Sequence, residues 1–351
     1  MVFDHPEFNA HEQVLFCHDD AVGLEAIIAI HSTALGPAAG GCRMQPYESP
    51  DAALADVLRL SEGMSLKNSM AGLPLGGGKC VIIGDPSAAN KHDLLTAFAR
   101  HVQTLNGRFW TAIDVGVGPA DAEILAQSCD FIFANASRYP AGFDPSAYTA
   151  LGGFLSIQAA AAHRWGSIDL AGRRVAIQGL GATGARLARH LHEAGAELVV
   201  ADVSVGAVER VVQEVRASEA DPAAIHAQPV DIYAPCALGG ILNDSTLPEI
   251  QAEVICGLAN NQLAEPRHGA ALHAAGITYV PDYVANGGGI SAAGTAIFSD
   301  PTPDEAEATV NRLFDTVTTV LDLARAQARP TSEVADEIAR ARINSGRAEG
   351  A

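Results

Sequence analysis

The sequence predicts an α/β fold in two domains: an N-terminal α/β domain, then a doubly wound parallel domain, with C-terminal helices returning to the first. Three observations carry this. The chain has 351 residues, about twice an ordinary domain. Short apolar runs rich in β-branched residues alternate with stretches of helical period. One such run opens into G-x-G-x-x-G and a helix, the first turn of a doubly wound unit.

Taken in order, QVLFCH and EAIIAIHS are short β-branched runs near enough in sequence to pair as neighbouring strands. The glycine-rich GPAAGG after them reads as a turn. Ser49 and Pro50 then precede Leu54, Val57, Leu58 and Leu60 at helical spacing, a helix N-terminus. KCVIIGDP, RFWTAID and DFIFAN read as strands, with helices HDLLTAFARHVQTLNG and PADAEILAQS between them. Residues 135–148, rich in Pro, Gly and Ser, read as a hinge, followed by the long helix TALGGFLSIQAAAAHRW. The strands RRVAIQGLG, ELVVAD, VDIYAP, EVICGLAN and ITYVPDY then alternate with helices. Residues 303–327 and 331–346 read as two closing helices. The expected domains are therefore 1–140 together with about 328–351, and 141–327.

Composition excludes several classes. Hydrophobic residues make up 48% and mean hydropathy is +0.13, so the chain has enough apolar material to fold. A net charge of −19 repels phosphate backbones and anionic lipid, which argues against nucleic acid or membrane partners. No apolar run reaches the roughly 20 residues of a membrane helix, and the N-terminus lacks a secretory pattern; the expected location is cytoplasmic. Six cysteines stand apart without a C-x-x-C pair and read as reduced thiols. Twelve histidines include no trustworthy ligand spacing: His190 and His192 face different sides of one helix, and His11 with His18 lacks a partner set, so no metal is expected.

Lysine usage points to chemistry. Of 22 basic residues only Lys67, Lys79 and Lys91 are lysines. Two of them flank the glycines of GMSLKNSMAGLPLGGGKC. Arginine cannot lose its proton in a protein, whereas lysine can be tuned toward neutrality, so a site needing a titratable amine must keep lysine. Asp114 ends the strand RFWTAID, so Lys67, Lys79 and Asp114 are expected at one edge of a sheet. A second ammonium and burial would both depress Lys79 toward the range of a general base, leaving Lys67 to hold an anion. The competing reading is a pair of exposed lysines and a helix-capping Asp. No G-x-x-x-x-G-K-[ST] is present, since Cys80 follows Lys79, which excludes a P-loop.

The fingerprint Gly179-Leu180-Gly181-Ala182-Thr183-Gly184 follows a strand and opens a helix. Its glycines serve the tight turn, the close approach of a pyrophosphate and helix–strand packing; the helix N-terminus faces the phosphates. Asp202 ends the next strand, where a carboxylate binds ribose hydroxyls and repels a 2′-phosphate. The second domain is thus expected to be a Rossmann domain that binds NAD rather than NADP.

GPAAGGCR, the lysine segment, IDVG, DPSAYTALG, QGLGATG, DIYAPCALGG, ANNQL and PDYVANGGG occur in the order seen in the Glu/Leu/Phe/Val amino acid dehydrogenases. From about residue 11 to residue 345 the chain resembles that family, most of all its shorter leucine, phenylalanine, valine and tryptophan members. The resemblance implies a nicotinamide enzyme that reversibly deaminates an L-amino acid to a 2-oxo acid and ammonia. By motif, Lys67 would bind the substrate carboxylate, Lys79 would activate water, and Asp114 would exchange protons with the substrate amine and the carbinolamine. Asn261 would help hold substrate and nicotinamide, Thr149 would lie near the carboxamide, and Gly40 and Gly41 would leave room for substrate. The first domain would bind the amino acid and build a homo-oligomer, a dimer or octamer; closure of a cleft would bring substrate to cofactor.

Residues near Ala39, Met64, Ile113 and the segment 285–293 would line the side-chain pocket, and none is charged, which favours an apolar substrate of leucine or valine type over glutamate. Small Ala39 and the NGGGISAAGTA segment, which departs from the larger residues of leucine-type enzymes, keep an aromatic substrate as the runner-up; so does Ile113, where those enzymes tend to be acidic. A catalytically silent NAD-binding sensor is the reading from another class, distinguished by having no need of Lys67, Lys79 and Asp114.

Overall fold

The computed structural model describes residues 2–133 and 143–350. Two compact units emerge: residues 1–143, 293–304 and 339–351 form the first, and 144–292 with 305–338 the second.

The first unit is built on a five-stranded sheet. Its strands are β1 (Gln13–Asp19), β2 (Leu24–Ser32), β3 (Ala38–Gln45), β4 (Gly76–Ile83) and β5 (Phe109–Ile113), in the order β1-β2-β4-β3-β5. β2 pairs antiparallel with β1 and β4, whereas β3 runs parallel to β4 and β5. Helix α1 (Pro50–Met70) covers one face: Ile27, Ala29 and Val81 meet Ala53, Leu54, Val57 and Leu58. On the other face Ile28, Ile30, Cys80 and Ile82 meet Leu95, Phe98 and Val102 of α2 (Lys91–Thr104) and Leu125 of α3 (Pro119–Ala126). Buried on both sides, β2 and β4 read as continuous apolar runs. Ser49 caps α1, its Oγ accepting from Ala52 N at 3.1 Å, with Pro50 at the first position as expected.

Two expectations fail here. GPAAGG is a turn only at Gly36 and Pro37, where Gly36 N donates to Thr33 O at 3.0 Å: Ala38–Gln45 is an internal strand, and its small residues serve contact, since a Cβ on Gly40 would stand 1.9 Å from Gly78 O. DFIFAN forms no strand among the described residues, only a bridge from Ile132 to Thr111. The expected hinge lies outside the described residues from 135 to 142, and from Pro145 it is already helix α4 (Pro145–Trp165), capped by Asp144.

The second unit holds a six-stranded sheet that is parallel throughout: β6 (Arg174–Gln178), β7 (Glu197–Ala201), β8 (Ser218–Glu219), β9 (Ile232–Pro235), β10 (Val254–Ile255) and β11 (Thr278–Tyr279). Their order, β11-β10-β9-β6-β7-β8, is the doubly wound one, with the reversal between β6 and β9. Helix α5 (Ala182–Glu193) packs Leu187, Ala188 and Leu191 inward, and α6 (Val205–Val215) follows β7. The short helices α7 (Arg267–Ala274), α8 (Asp282–Ala285) and α9 (Gly288–Gly294) precede α10 (Pro303–Asn311) and α11 (Leu313–Gln327); the expected helix 303–327 is thus two.

The last helix, α12 (Thr331–Gly350), joins the first unit from Ala339, not from 328 as expected. Polar contacts explain the difference. Thr331 Oγ1 donates to Tyr279 O at 2.6 Å and Tyr283 OH to Asp336 at 2.6 Å, holding the helix start to the second unit. Ser69 Oγ donates to Ala339 O at 3.0 Å and Arg342 to Ser69 O at 2.7 Å, holding its end to the first.

Candidate active site and nucleotide-binding turn

In the first unit the site grows out of β4. Lys79 shares the α1 face of that strand with Gly77 and Val81, because strand residues alternate sides. A Cβ at Gly77 would lie 2.1 Å from Ser65 N, so the glycine lets α1 settle against the strand. Lys67 stands two residues further along α1, half-buried in its last turn. Asn68, fully buried, donates to Gly76 O at 2.6 Å and fastens that turn to the start of β4.

The Lys79 side chain is 9% exposed and its Nζ donates to Asp114 Oδ2. Asp114 follows β5 in a tight turn, its N–H and C=O bonded to Val117, and Gly116 takes φ +76 where a Cβ would strike Met44 O. Its other oxygen accepts from Val115 N at 2.6 Å and faces the Arg43 guanidinium at 3.9 Å. Arg43 is held in turn by Asp56, 2.9 Å away, to which Tyr47 OH also donates. Burial alone would raise the Asp114 carboxyl; the Lys79 ammonium, Arg43 and the Val115 N–H outweigh it and hold the group below its ordinary value. Lys79 and Asp114 therefore meet as an ion pair, and the reading as exposed lysines with a capping Asp fails: α3 starts at Pro119, and its first turn is tied down by Asp121, which accepts from Gly118 N at 2.7 Å. Lys91 pairs with that same Asp121 and is structural.

Gly40 and Gly41 sit in β3 beside this pair. A Cβ on Gly40 would meet Gly78 O and, at 3.2 Å, Met64 Cγ; one on Gly41 would meet Ile113 O at 2.5 Å and Asp114 Cβ at 2.9 Å. The backbones and Asp114 already occupy the space that side chains would take. Met64 on α1 is half-buried at the same place.

In the second unit Gly179 leaves β6 with φ +98, which a side chain would oppose and for which Ala237 leaves no room. Gly184 is required too, since a Cβ there would stand 2.0 Å from Gly179 O. Around Gly181 nothing lies within 4 Å of a Cβ, and no side chain caps α5, so the N-terminal amides of Ala182 and Thr183 begin a helix with an uncapped positive end. Asp202, at the end of β7, accepts from Leu180 N at 2.6 Å and so also braces the turn. These features fit a dinucleotide pyrophosphate: open space at one glycine, close packing at the others, and no side chain on the helix end. Thr149 on α4 donates to Pro145 O at 2.9 Å and touches Gly289, where a Cβ would lie 2.5 Å from its Oγ1. Asn261 is exposed at φ +53, its carbonyl accepting from Gly240 N at 2.7 Å.

Two family models match the chain. One, described as Glu/Leu/Phe/Val dehydrogenase, dimerisation domain, covers residues 11–130; the other, Glutamate/Leucine/Phenylalanine/Valine dehydrogenase, covers 203–329. The chain belongs to the glutamate/leucine/phenylalanine/valine dehydrogenase family. A leucine dehydrogenase of Geobacillus stearothermophilus is 45% identical over 99% of this chain and 94% of its own length. A valine dehydrogenase of Streptomyces virginiae is 44% identical over 98% and 96%. The crystal structure of L-tryptophan dehydrogenase from Nostoc punctiforme superposes with a TM-score of 0.85 at 42% identity, covering 97% of each chain. As a member of this dehydrogenase family the chain is an oxidoreductase, and its doubly wound sheet serves a nicotinamide cofactor.

Sequence reasoning missed three groups at these sites. Arg43, the second cation on Asp114, lies just beyond the segment read as a turn and was given no role. Asn68 has no motif of its own. Val203, 91% exposed after β7, and Leu238, 81% exposed after β9, are apolar residues left open at the strand ends that flank the glycine turn. Among the described residues no metal-binding cluster occurs; His11 bonds Ser61 and Leu58 O, and His190 stacks on Phe154.

Proposed function

We propose that the chain catalyses the NAD-dependent, reversible oxidative deamination of an apolar L-amino acid of leucine or valine type, giving the 2-oxo acid and ammonia. The observation that carries this is the buried Lys79–Asp114 pair, with Arg43 behind it and Lys67 on the adjoining helix. A protein that only bound NAD would have no use for it.

Lys67 holds the substrate carboxylate. Asp114, kept ionised by its cations, accepts a proton from the substrate ammonium so that the amine becomes neutral. A nicotinamide held by the second unit would supply the hydride acceptor for the α-carbon, the substrate becoming an iminium. Lys79, having passed its proton to solvent, takes one from the water that attacks the iminium carbon. Asp114 then returns a proton to the carbinolamine nitrogen and takes up the hydroxyl proton as the carbonyl forms and ammonia leaves. Gly179, Gly181, Ala182, Thr183 and Gly184 are assigned to the pyrophosphate, Asp202 to the adenosine ribose, and Thr149 and Asn261 to the nicotinamide end. Asp202 favours NAD over NADP by repelling a 2′-phosphate.

Ala39, Met64 and Ile113 carry no charge, in line with an apolar substrate, as do the names of the leucine and valine dehydrogenase relatives. An aromatic substrate is the second reading, favoured by small Ala39 and by the likeness to a tryptophan dehydrogenase. A homo-oligomer is supported by the description of the first family model as a dimerisation domain, and a cytoplasmic location by six free thiols. Among the described residues no helix is long and apolar enough to cross a membrane.

Lys79→Ala tests the assignment: turnover should fall by a factor of about 100 or more while NADH binding, read by fluorescence, is retained. Retained turnover would remove Lys79 from the mechanism.

A further inference from the structure

A cationic niche in the first unit lies outside the chemistry above. It encloses roughly 100 Å³ and is lined by Asn9, Ala10, His31, Arg340, Ile343, Asn344 and Arg347. Positions 340, 343, 344 and 347 recur at helical spacing, so α12 presents one face to it.

The lining offers donors. Two carboxylates lie close by: Glu62 Oε1 accepts from two of the lining residues, Arg340 at 2.6 Å and Asn9 Nδ2 at 2.7 Å, whereas Glu12 accepts from Thr33 N, Thr33 Oγ1 and Arg108 at 2.7, 2.7 and 3.0 Å. Arg347 has no ion-pair partner within 4.0 Å among the described residues. His31 forms the buried wall, 5% exposed, with Nδ1 2.7 Å from Ser65 Oγ. Ser65 Oγ has no other acceptor among the described residues, so its O–H is assigned to Nδ1, which leaves the proton on Nε2 as a further donor. Burial and the neighbouring His11, Arg347 and Arg340 keep the imidazole neutral, against the pull of Glu62.

We propose that this niche binds a small tetrahedral oxyanion of the phosphate class, clamped by Arg347 and Arg340 and received by the N–H of His31. Two guanidiniums give forked, charge-assisted bonds to such an anion. In a chain of net charge −19, an arginine outside any close ion pair, with Glu12 as its more distant countercharge, beside a second arginine paired to Glu62 and a neutral N–H, is a local exception that an anion would complete.

The test is calorimetric titration of inorganic phosphate into the full-length protein at constant ionic strength, with NADH saturating the glycine turn. A parallel titration uses glycerol 3-phosphate. Saturable binding of one oxyanion per chain in the millimolar range is expected, weakened about tenfold by Arg347→Gln and again by Arg340→Gln. Turnover in phosphate-free buffer should be unchanged in both variants, as neither residue belongs to the catalytic set. Tighter binding of the free anion or of the monoester identifies the source. Absence of saturable binding of either compound up to about 20 mM, or equal binding by Arg347→Gln, overturns the proposal.

Discussion

Replacing Asp114 by Asn removes one negative charge from between two cations and leaves the shape almost unchanged. Lys79 is 9% exposed and Asp114 18%, so the ammonium would stay in a site that water barely reaches, with Arg43 still facing it. Breaking a buried pair by removing one partner costs about 3–5 kcal/mol. The residual exposure of Asp114 argues for the lower figure, about 3 kcal/mol. With a urea slope of about 2 kcal/mol per molar, the unfolding midpoint of the first unit should fall by about 1–2 M. Trp110 lies on β5 four residues from Asp114, and Trp165 belongs to the second unit, so a Trp165→Phe background makes fluorescence report the first unit alone. Adding Lys79→Met to Asp114→Asn removes the stranded charge and should recover part of the loss. The sign with pH also follows. Because the folded Asp114 carboxyl lies below its ordinary value, the stability it contributes is fully present above about pH 4 and disappears as pH falls through the folded value. The gap between wild type and Asp114→Asn should therefore be constant from pH 8 to about pH 4 and close below it. A midpoint shift under about 0.3 M, or a double variant no more stable than the single one, would refute the buried pair.

Other predictions concern the glycine turn and the histidine wall. Gly184→Ala should yield a destabilised protein with little NADH binding, since its Cβ would overlap Gly179 O. Gly181→Ala, facing open space at an ordinary φ, should fold with an unchanged melting temperature yet bind NADH at least about tenfold more weakly; equal behaviour of the two in calorimetry and binding would contradict the roles assigned. Burial, with the nearby His11, Arg347 and Arg340, lowers the His31 pKa from 6.5 to about 4, so its neutral form stabilises the fold fully above pH 6.5 and progressively less as pH falls toward 4. Up to about 3 kcal/mol is at stake, and His31→Gln should flatten the acid limb of a stability–pH curve over that interval.

Much of this architecture was legible in the sequence because the signals were local. Ser49-Pro50 ahead of a helical stripe, the strand–glycine–helix order at Gly179–Gly184, and β-branched runs spaced by helices all found their elements. Lys79 and Asp114, 35 positions apart, met because each ends or starts a run that reads as a strand. Elsewhere the deciding contact was remote. Gly40 and Gly41 looked like turn residues because glycine's freedom and its lack of bulk leave the same mark in a sequence; here bulk mattered, as β3 is pressed against Gly78 and Ile113. Arg43 went unnoticed because its partners, Asp56 and Asp114, stand 13 and 71 positions away. DFIFAN has strand composition but only Ile132 pairs among the described residues, and β8, two residues long, has too little pattern to see. The return of α12 at Ala339 depends on Thr331 and Asp336 finding Tyr279 and Tyr283, some 50 residues away, which no local spacing encodes.

Absorbance of reduced nicotinamide, followed with purified protein at alkaline pH across a panel of L-amino acids with NAD and NADP in parallel, tests the central claim most directly. Leucine or valine should be oxidised fastest, with NAD preferred and ammonia released in equal amount. Fastest turnover with phenylalanine or tryptophan would transfer the claim to the aromatic reading; glutamate as the best substrate, or binding of NAD without turnover of any amino acid, would contradict it.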